Sequence, residues 1–244
     1  IYTQIDRDEA NRPEFRSFTY RLDVDEYFYP ASTVKLPTAA LALEKLNRLD
    51  IRGLDRETVM LTGAAADFQT EAVFDDTSST GLPSIAQYIR KILVVSDNDA
   101  FNRLYEFIGQ RPLNDTLRER GYAGTRIVHR LEIALTDEQN RWTNPISFLE
   151  SDTIVYRQSD VRSDENPVAV RPEPLGVAEV VDGERVEGPK DFSTKNAYPL
   201  QALHYTVKAL MFPYPVPEAQ LFELPYDYHR FLPRHLSQHP PPAT

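Results

Sequence analysis

A serine and a lysine stand three residues apart in Tyr29-Pro30-Ala31-Ser32-Thr33-Val34-Lys35-Leu36-Pro37, at the mouth of an apolar run. On a helix, positions i and i+3 share a face, so the Lys35 amine comes within range of the Ser32 hydroxyl. A serine hydroxyl is a weak nucleophile at neutral pH unless a base lies within hydrogen-bond reach, and a desolvated lysine can be that base. The bland alternative is a Ser32 helix cap with Lys35 snorkelling to water, and for this spacing alone it is the better explanation. A second cluster, Ser96-Asp97-Asn98, lies between two expected helices. There a serine and an asparagine can both face a cleft while the aspartate ties the turn to its own backbone. The bland alternative here is an Asn98 N-cap flanked by linker residues.

The elements that must position these residues can be read from periodicity and punctuation. Residues 1–5 and 18–22 alternate apolar and polar, which predicts an antiparallel hairpin with a long loop. Residues 38–47 are rich in Ala and Leu on all sides, so that helix must be enclosed, and Pro37 pulls its start close to Val34 or Leu36. Residues 48–81 are mixed. A second helix should begin near Ser84, which has capping-box spacing to Gln87, and Ile85, Tyr88, Ile89 and Ile92 form its apolar face. Helices over 99–108 and 112–120 follow, closed by Gly109 and Gly121, and 124–144 reads as a structured loop.

Beyond that loop the composition shifts. Residues 159–173 are acidic and contain several prolines, and Asp182-Gly183 marks a hairpin turn. Residues 198–212 form an amphipathic helix with Leu200, Leu203, Val207 and Leu210 inward, and 221–236 hold a shorter one before Pro240-Pro241-Pro242. The expected organisation is an N-terminal hairpin (1–30), a helical domain with the chemistry-bearing residues and the loop (31–149), an excursion (150–195) and a C-terminal helical part (196–244).

Composition excludes several functions. A net charge of −10 argues against a nucleic-acid surface, which needs a basic face. Absence of cysteine removes disulfides, thiol chemistry and cysteine-based zinc sites. No apolar run approaches the ~20 residues that span a bilayer. No leader is visible at Ile1, which falls in an expected strand, so sequence upstream is expected to be missing.

Ser32-x-x-Lys35 followed by Ser96-Asp97-Asn98 resembles the pairing found in class A β-lactamases and penicillin-binding proteins. Arg130-Leu131-Glu132-Ile133-Ala134-Leu135 resembles the R-x-E-x-x-L core of the class A omega loop. The resemblance runs well over 1–145 and resumes near 192–212. It implies an α+β fold of β-lactamase/transpeptidase type, a helical domain against an antiparallel sheet of which only the N-terminal hairpin is evident.

The resemblance also implies roles. Ser32 would be acylated, with Lys35, or Glu132 through a water, taking its proton. Ser96 would relay a proton to the leaving nitrogen. Asn98 would hold the substrate's side-chain amide, and Glu132 would activate the deacylating water. The substrate would be a small β-lactam, acyl-peptide or ester, with no cofactor or metal, in a periplasmic or secreted bacterial protein. The family's peptidase and esterase activities are alternatives, as is a binding domain that keeps the fold without turnover.

Two departures stand out. Thr136 replaces the asparagine that helps hold the water, and no K-x-G motif follows Leu200, leaving only Lys190 and Lys195 as candidate cations. The family would continue into three further strands and a closing helix, so the chain is expected to be part of a longer hydrolase. Glu132 has a surface pairing with Arg130 as its bland alternative. His229, His235 and His239 are read as solvated because Pro233 and Pro240 interrupt the helix a metal site would need. Trp142 is read as core or cleft wall, and Thr143-Asn144-Pro145 as a simple turn.

Overall fold

In a computed structural model, residues 1–23, 26–164, 173–214 and 216–239 are described. Chain order runs β1 (Tyr2–Arg7), β2 (Pro13–Phe18), α1 (Lys35–Leu49), β3 (Val59–Thr62), α2 (Ile85–Val95), α3 (Asn98–Ile108), α4 (Gln110–Glu119) and α5 (Asp137–Asn140). It continues through β4 (Ile146–Glu150), β5 (Thr153–Gln158), β6 (Pro174–Leu175), β7 (Ala178–Val181), β8 (Glu184–Glu187), β9 (Lys190–Asp191), α6 (Leu200–Met211) and α7 (Tyr226–Leu236). The fold is mixed α+β, with small antiparallel sheets beside the helices.

Helix α1 is the axis. Ala39, Ala40, Ala42 and Leu43 are fully buried because α2 and α3 both pack on it, and small alanines allow that close approach. Burial extends to its charged Glu44, which is paired with Arg48 and Arg120. Pro37 sits in the first turn, as its missing N–H requires. Ser84 caps α2 by accepting from the Gln87 N–H at 3.1 Å. The Gln87 side chain turns to Thr77 and leaves the box half made.

The structure corrects several expectations. The second strand of the N-terminal hairpin lies at Pro13–Phe18 and not at 18–22, because Asp8 closes a tight turn. Its carboxylate accepts from the N–H groups of Ala10 and Arg12, which sets Tyr2 opposite Phe18. A three-stranded sheet, β3-β4-β5, was not foreseen beyond that hairpin; Met60, Ile146 and Phe148 bury its inner face. The β4-β5 hairpin crosses the expected boundary at 149/150, since Glu150 pairs with Thr153. Helix α3 is capped by Asp97, whose carboxylate accepts from the Ala100 N–H at 2.7 Å, so Asn98 is not the cap.

Helix α6 buries Ala202, Thr206, Ala209 and Leu210, while Leu200 and Val207 remain 40% and 42% exposed. The expected inward face is therefore rotated. Helix α7 runs through Pro233, held by burial of Tyr228, Phe231, Leu232 and His235, which outweighs the lost hydrogen bond. Asn144 is fully buried and donates to the carbonyls of Gly63 and Thr70, so its segment is a tie between loops and not a simple turn. Asp182 and Gly183 both have positive φ, as a two-residue hairpin turn between β7 and β8 requires. Most of the acidic segment at 159–173 and Pro240-Pro241-Pro242 lie outside the described residues.

Candidate active site

Ser32 lies in a 3-10 turn, Ala31–Val34, that runs directly into α1 at Lys35. With three residues per turn, positions i and i+3 eclipse, and the Lys35 Nζ comes to 3.1 Å from the Ser32 Oγ. Neither helix start uses a side-chain cap, and Lys35 is only 3% exposed. The cap-and-snorkel alternative is thereby removed.

Lys35 Nζ also donates to the Ser96 carbonyl at 2.5 Å, the Ser96 Oγ at 3.0 Å and the Asn98 Oδ1 at 2.5 Å. The turn between α2 and α3 thus delivers three acceptors to one amine. Burial pushes the Lys35 amine below the ordinary lysine value, against the pull of the Asp97 and Glu132 carboxylates. Glu132 is therefore electrostatically coupled to the cluster. A cavity of about 410 Å³ opens beside it, lined by Ser32, Lys35 and Ser96 and walled by Leu203, Val207 and Leu236. The outward-rotated face of α6 thus forms an apolar wall next to the serine.

Backbone strain gathers at the same place. Ala31, Ser96 and Glu132 all adopt positive φ, at 44°, 57° and 57°. None is a glycine or asparagine, for which that region is easy, and such outliers persist only where surrounding contacts over-determine them.

For Glu132 those contacts can be traced. Four asparagine side chains hold the backbone just before it, residue by residue. Asn114 bonds both the N–H and the carbonyl of Ile127. Asn196 accepts from the N–H groups of Val128 and His129. Asn140 accepts from the Arg130 N–H, and Asn102 bonds both the N–H and the carbonyl of Leu131. Reading the sequence did not single out these asparagines, because each reaches its partner from a different part of the chain.

The Arg130 guanidinium pairs with buried Glu106 at 2.8 Å, which does not favour the bland alternative of a surface pairing with Glu132. Glu106 also pairs with Arg103, giving an Arg-Glu-Arg bridge from α3 to the loop. Thr136 is engaged elsewhere: its Oγ caps α5 by accepting from Gln139, whose side chain returns to the Thr136 N–H. Lys190 pairs with Glu179, and neither Lys190 nor Lys195 lines the Ser32 cavity. Residues 200–239, as far as described, hold helices and no strand. His235 stacks edge-on against Phe231 and bonds Gln238.

A family model for the β-lactamase enzyme family matches residues 16–163, more than half of the chain. The chain belongs to the β-lactamase enzyme family. Ser32, Lys35, Ser96, Asn98, Glu132 and Thr136 all fall inside the matched segment. No curated protein matches the chain. Family membership makes this a β-lactamase-like serine hydrolase in general terms, and no helix among the described residues is long and apolar enough to cross a membrane.

Proposed function

We propose that this member of the β-lactamase family opens a cyclic amide by transferring its acyl group to Ser32 and then hydrolysing the ester. The observation that carries the proposal is the amine of Lys35, buried and shared by Ser32, Ser96 and Asn98. A neutral lysine has two N–H groups and one lone pair. The Ser96 carbonyl and Asn98 Oδ1 cannot donate, so they take the two N–H groups, and the lone pair is left to face a hydroxyl. Lys35 in this state accepts the Ser32 proton as Oγ attacks the carbonyl carbon. The proton then passes through the Ser96 Oγ to the nitrogen as the C–N bond breaks. Burial favours the neutral starting state.

Glu132 is the residue assigned to the second step. Its carboxylate removes a proton from water, the resulting hydroxide attacks the ester carbonyl, and Ser32 leaves with a proton returned to its oxygen. Asn98 would meet the substrate's side-chain amide with the donor half of its carboxamide. An exported location belongs to the same proposal.

Thr136 supports a second reading. With its hydroxyl committed to the α5 cap, it offers little to a deacylating water, which favours a long-lived acyl-enzyme of the peptidase or esterase kind. Stopped-flow mixing with a chromogenic cephalosporin and with p-nitrophenyl acetate separates the two. Steady turnover of the cephalosporin supports the hydrolase, a stoichiometric burst that stalls supports the second reading, and no reaction with either compound overturns both.

A further inference from the structure

His129, three residues before Glu132, is half-buried and has both ring nitrogens engaged. Its Nε2 lies 3.2 Å from the backbone N of Asn196, and its Nδ1 lies 2.7 Å from the Arg130 carbonyl. An N–H must face a lone pair, so Nε2 is the acceptor and Nδ1 carries the only proton, donated to Arg130. The Asn196 side chain completes the contact. Its Oδ1 accepts from the Val128 and His129 N–H groups at 2.8 and 3.2 Å, and its Nδ2 donates to the His129 carbonyl at 3.3 Å. Asn196 is anchored in turn by the Tyr27 hydroxyl, which donates to its carbonyl at 2.6 Å from the segment leading to Ser32.

We propose that His129 and Asn196 form a latch that positions Glu132 for deacylation, closed only while the His129 imidazole is neutral. The proposal rests on the role assigned to Glu132 above. Protonation at Nε2 would set an N–H against the Asn196 N–H, which breaks the latch at its centre.

The surroundings hold the ring neutral. Burial pushes the His129 imidazole below its ordinary value; the Arg130 carbonyl pulls the other way, and Lys195 and Arg126 add like charge while Asp137 opposes them. Tyr27 faces the Asn196 side of the contact. Arg130 directs its guanidinium to Glu106, away from the ring's hydrogen bonds. The latch is therefore intact at neutral pH and opens on acidification. His129 and Asn196 are positioning residues, since no reacting atom meets either.

The test separates formation from loss of the Ser32 adduct across pH, using benzylpenicillin and p-nitrophenyl acetate followed by intact mass. In the wild type, adduct loss should slow severalfold as pH falls from 7 to 4, below the ordinary imidazole range, with adduct formation less affected. His129→Gln keeps an acceptor for the Asn196 N–H but does not titrate, so the fall attributable to the latch should vanish. Asn196→Asp adds a charge beside the ring and should move that fall to higher pH. Asn196→Ala should slow adduct loss more than adduct formation.

A second readout does not depend on activity. By NMR, the ring of His129 should show the Nδ1–H tautomer at neutral pH, and the Glu132 amide should titrate with it in the wild type but not in His129→Gln. An acid fall in His129→Gln as large as in the wild type and centred at the same pH, an Nε2–H tautomer, or a Glu132 amide indifferent to His129 overturns the latch. If no adduct forms with either compound while the coupled NMR titration is present, the catalytic reading of Glu132 fails and the latch stands as a loop-ordering device.

Discussion

Lys35 faces four acceptors with at most three protons, so its cluster can be satisfied in more than one protonation state. In the proposed reaction that suits it to carry a proton, which a fixed ion-pair partner could not do. Lys35→Arg keeps the charge and the donors but cannot release a proton, because guanidinium stays charged in proteins. Acylation of Ser32 in that variant, followed by intact mass, is expected to slow by roughly 10²–10⁴-fold, the range for losing a positioned base. A rate within threefold of wild type would remove Lys35 from that role.

The pair Ser32 and Lys35 was legible in the sequence because its spacing is local and the apolar run behind it announces a helix. Thr136 carried a local signal too, since Thr136 and Gln139 have capping-box spacing, and that signal explains its hydroxyl better than water binding does. Asn102, Asn114, Asn140 and Asn196 were not legible, because asparagine types are common and only the folded chain brings them to one strip of backbone.

At the scale of elements, the strip at 127–131 is fastened to α3 by Glu106, which stands between Arg103 and Arg130 and is 3% exposed. Glu106→Leu leaves two buried guanidinium groups without that partner. Unfolding in urea is expected to show a loss of about 3–5 kcal/mol, the usual cost of removing one member of a buried ionic group. A loss below ~1 kcal/mol would mean that the loop is held without it.

A second junction joins α1, α3 and β5. Lys45 Nζ bonds the Phe107 carbonyl and lies 4.5 Å from the centre of the Phe107 ring; it also donates to the Gln158 Oε1 at 2.6 Å. Burial pushes this amine down to about 8 from its ordinary 10.5. Between those values the unfolded chain binds more protons than the folded one, so stability should rise with pH in that window, by at most about 3 kcal/mol. Chemical denaturation at pH 7.5 and pH 10 measures it against Lys45→Met, in which this rise should be absent. Gln158 could not be foreseen as its partner, because the β4-β5 hairpin escaped recognition and only that hairpin carries Gln158 back to α1.

For the whole molecule, the central enclosed helix follows from periodicity, while the α+β class was what the resemblance carried by Ser32, Lys35 and Ser96 to Asn98 implied. The three-stranded sheet follows from neither, since Val59–Thr62 finds its partner in Ile146–Glu150, far along the chain, and short strands separated that way leave little local trace. Helix α6 shows a related limit. Its periodicity gave a helix, but which side turned inward depended on Thr3, Phe15 and Tyr198 packing or bonding around it, and the side left outward became a wall of the Ser32 cavity.

The proposed reaction makes a single demand, that Ser32 be the acylated residue. Incubation with benzylpenicillin and p-nitrophenyl acetate followed by proteolysis and peptide mass mapping tests this most directly. The expected result is a covalent adduct confined to the peptide bearing Ser32, lost in Ser32→Ala and strongly slowed in Lys35→Arg. An adduct on another residue, or one that forms equally well in Ser32→Ala, would contradict it.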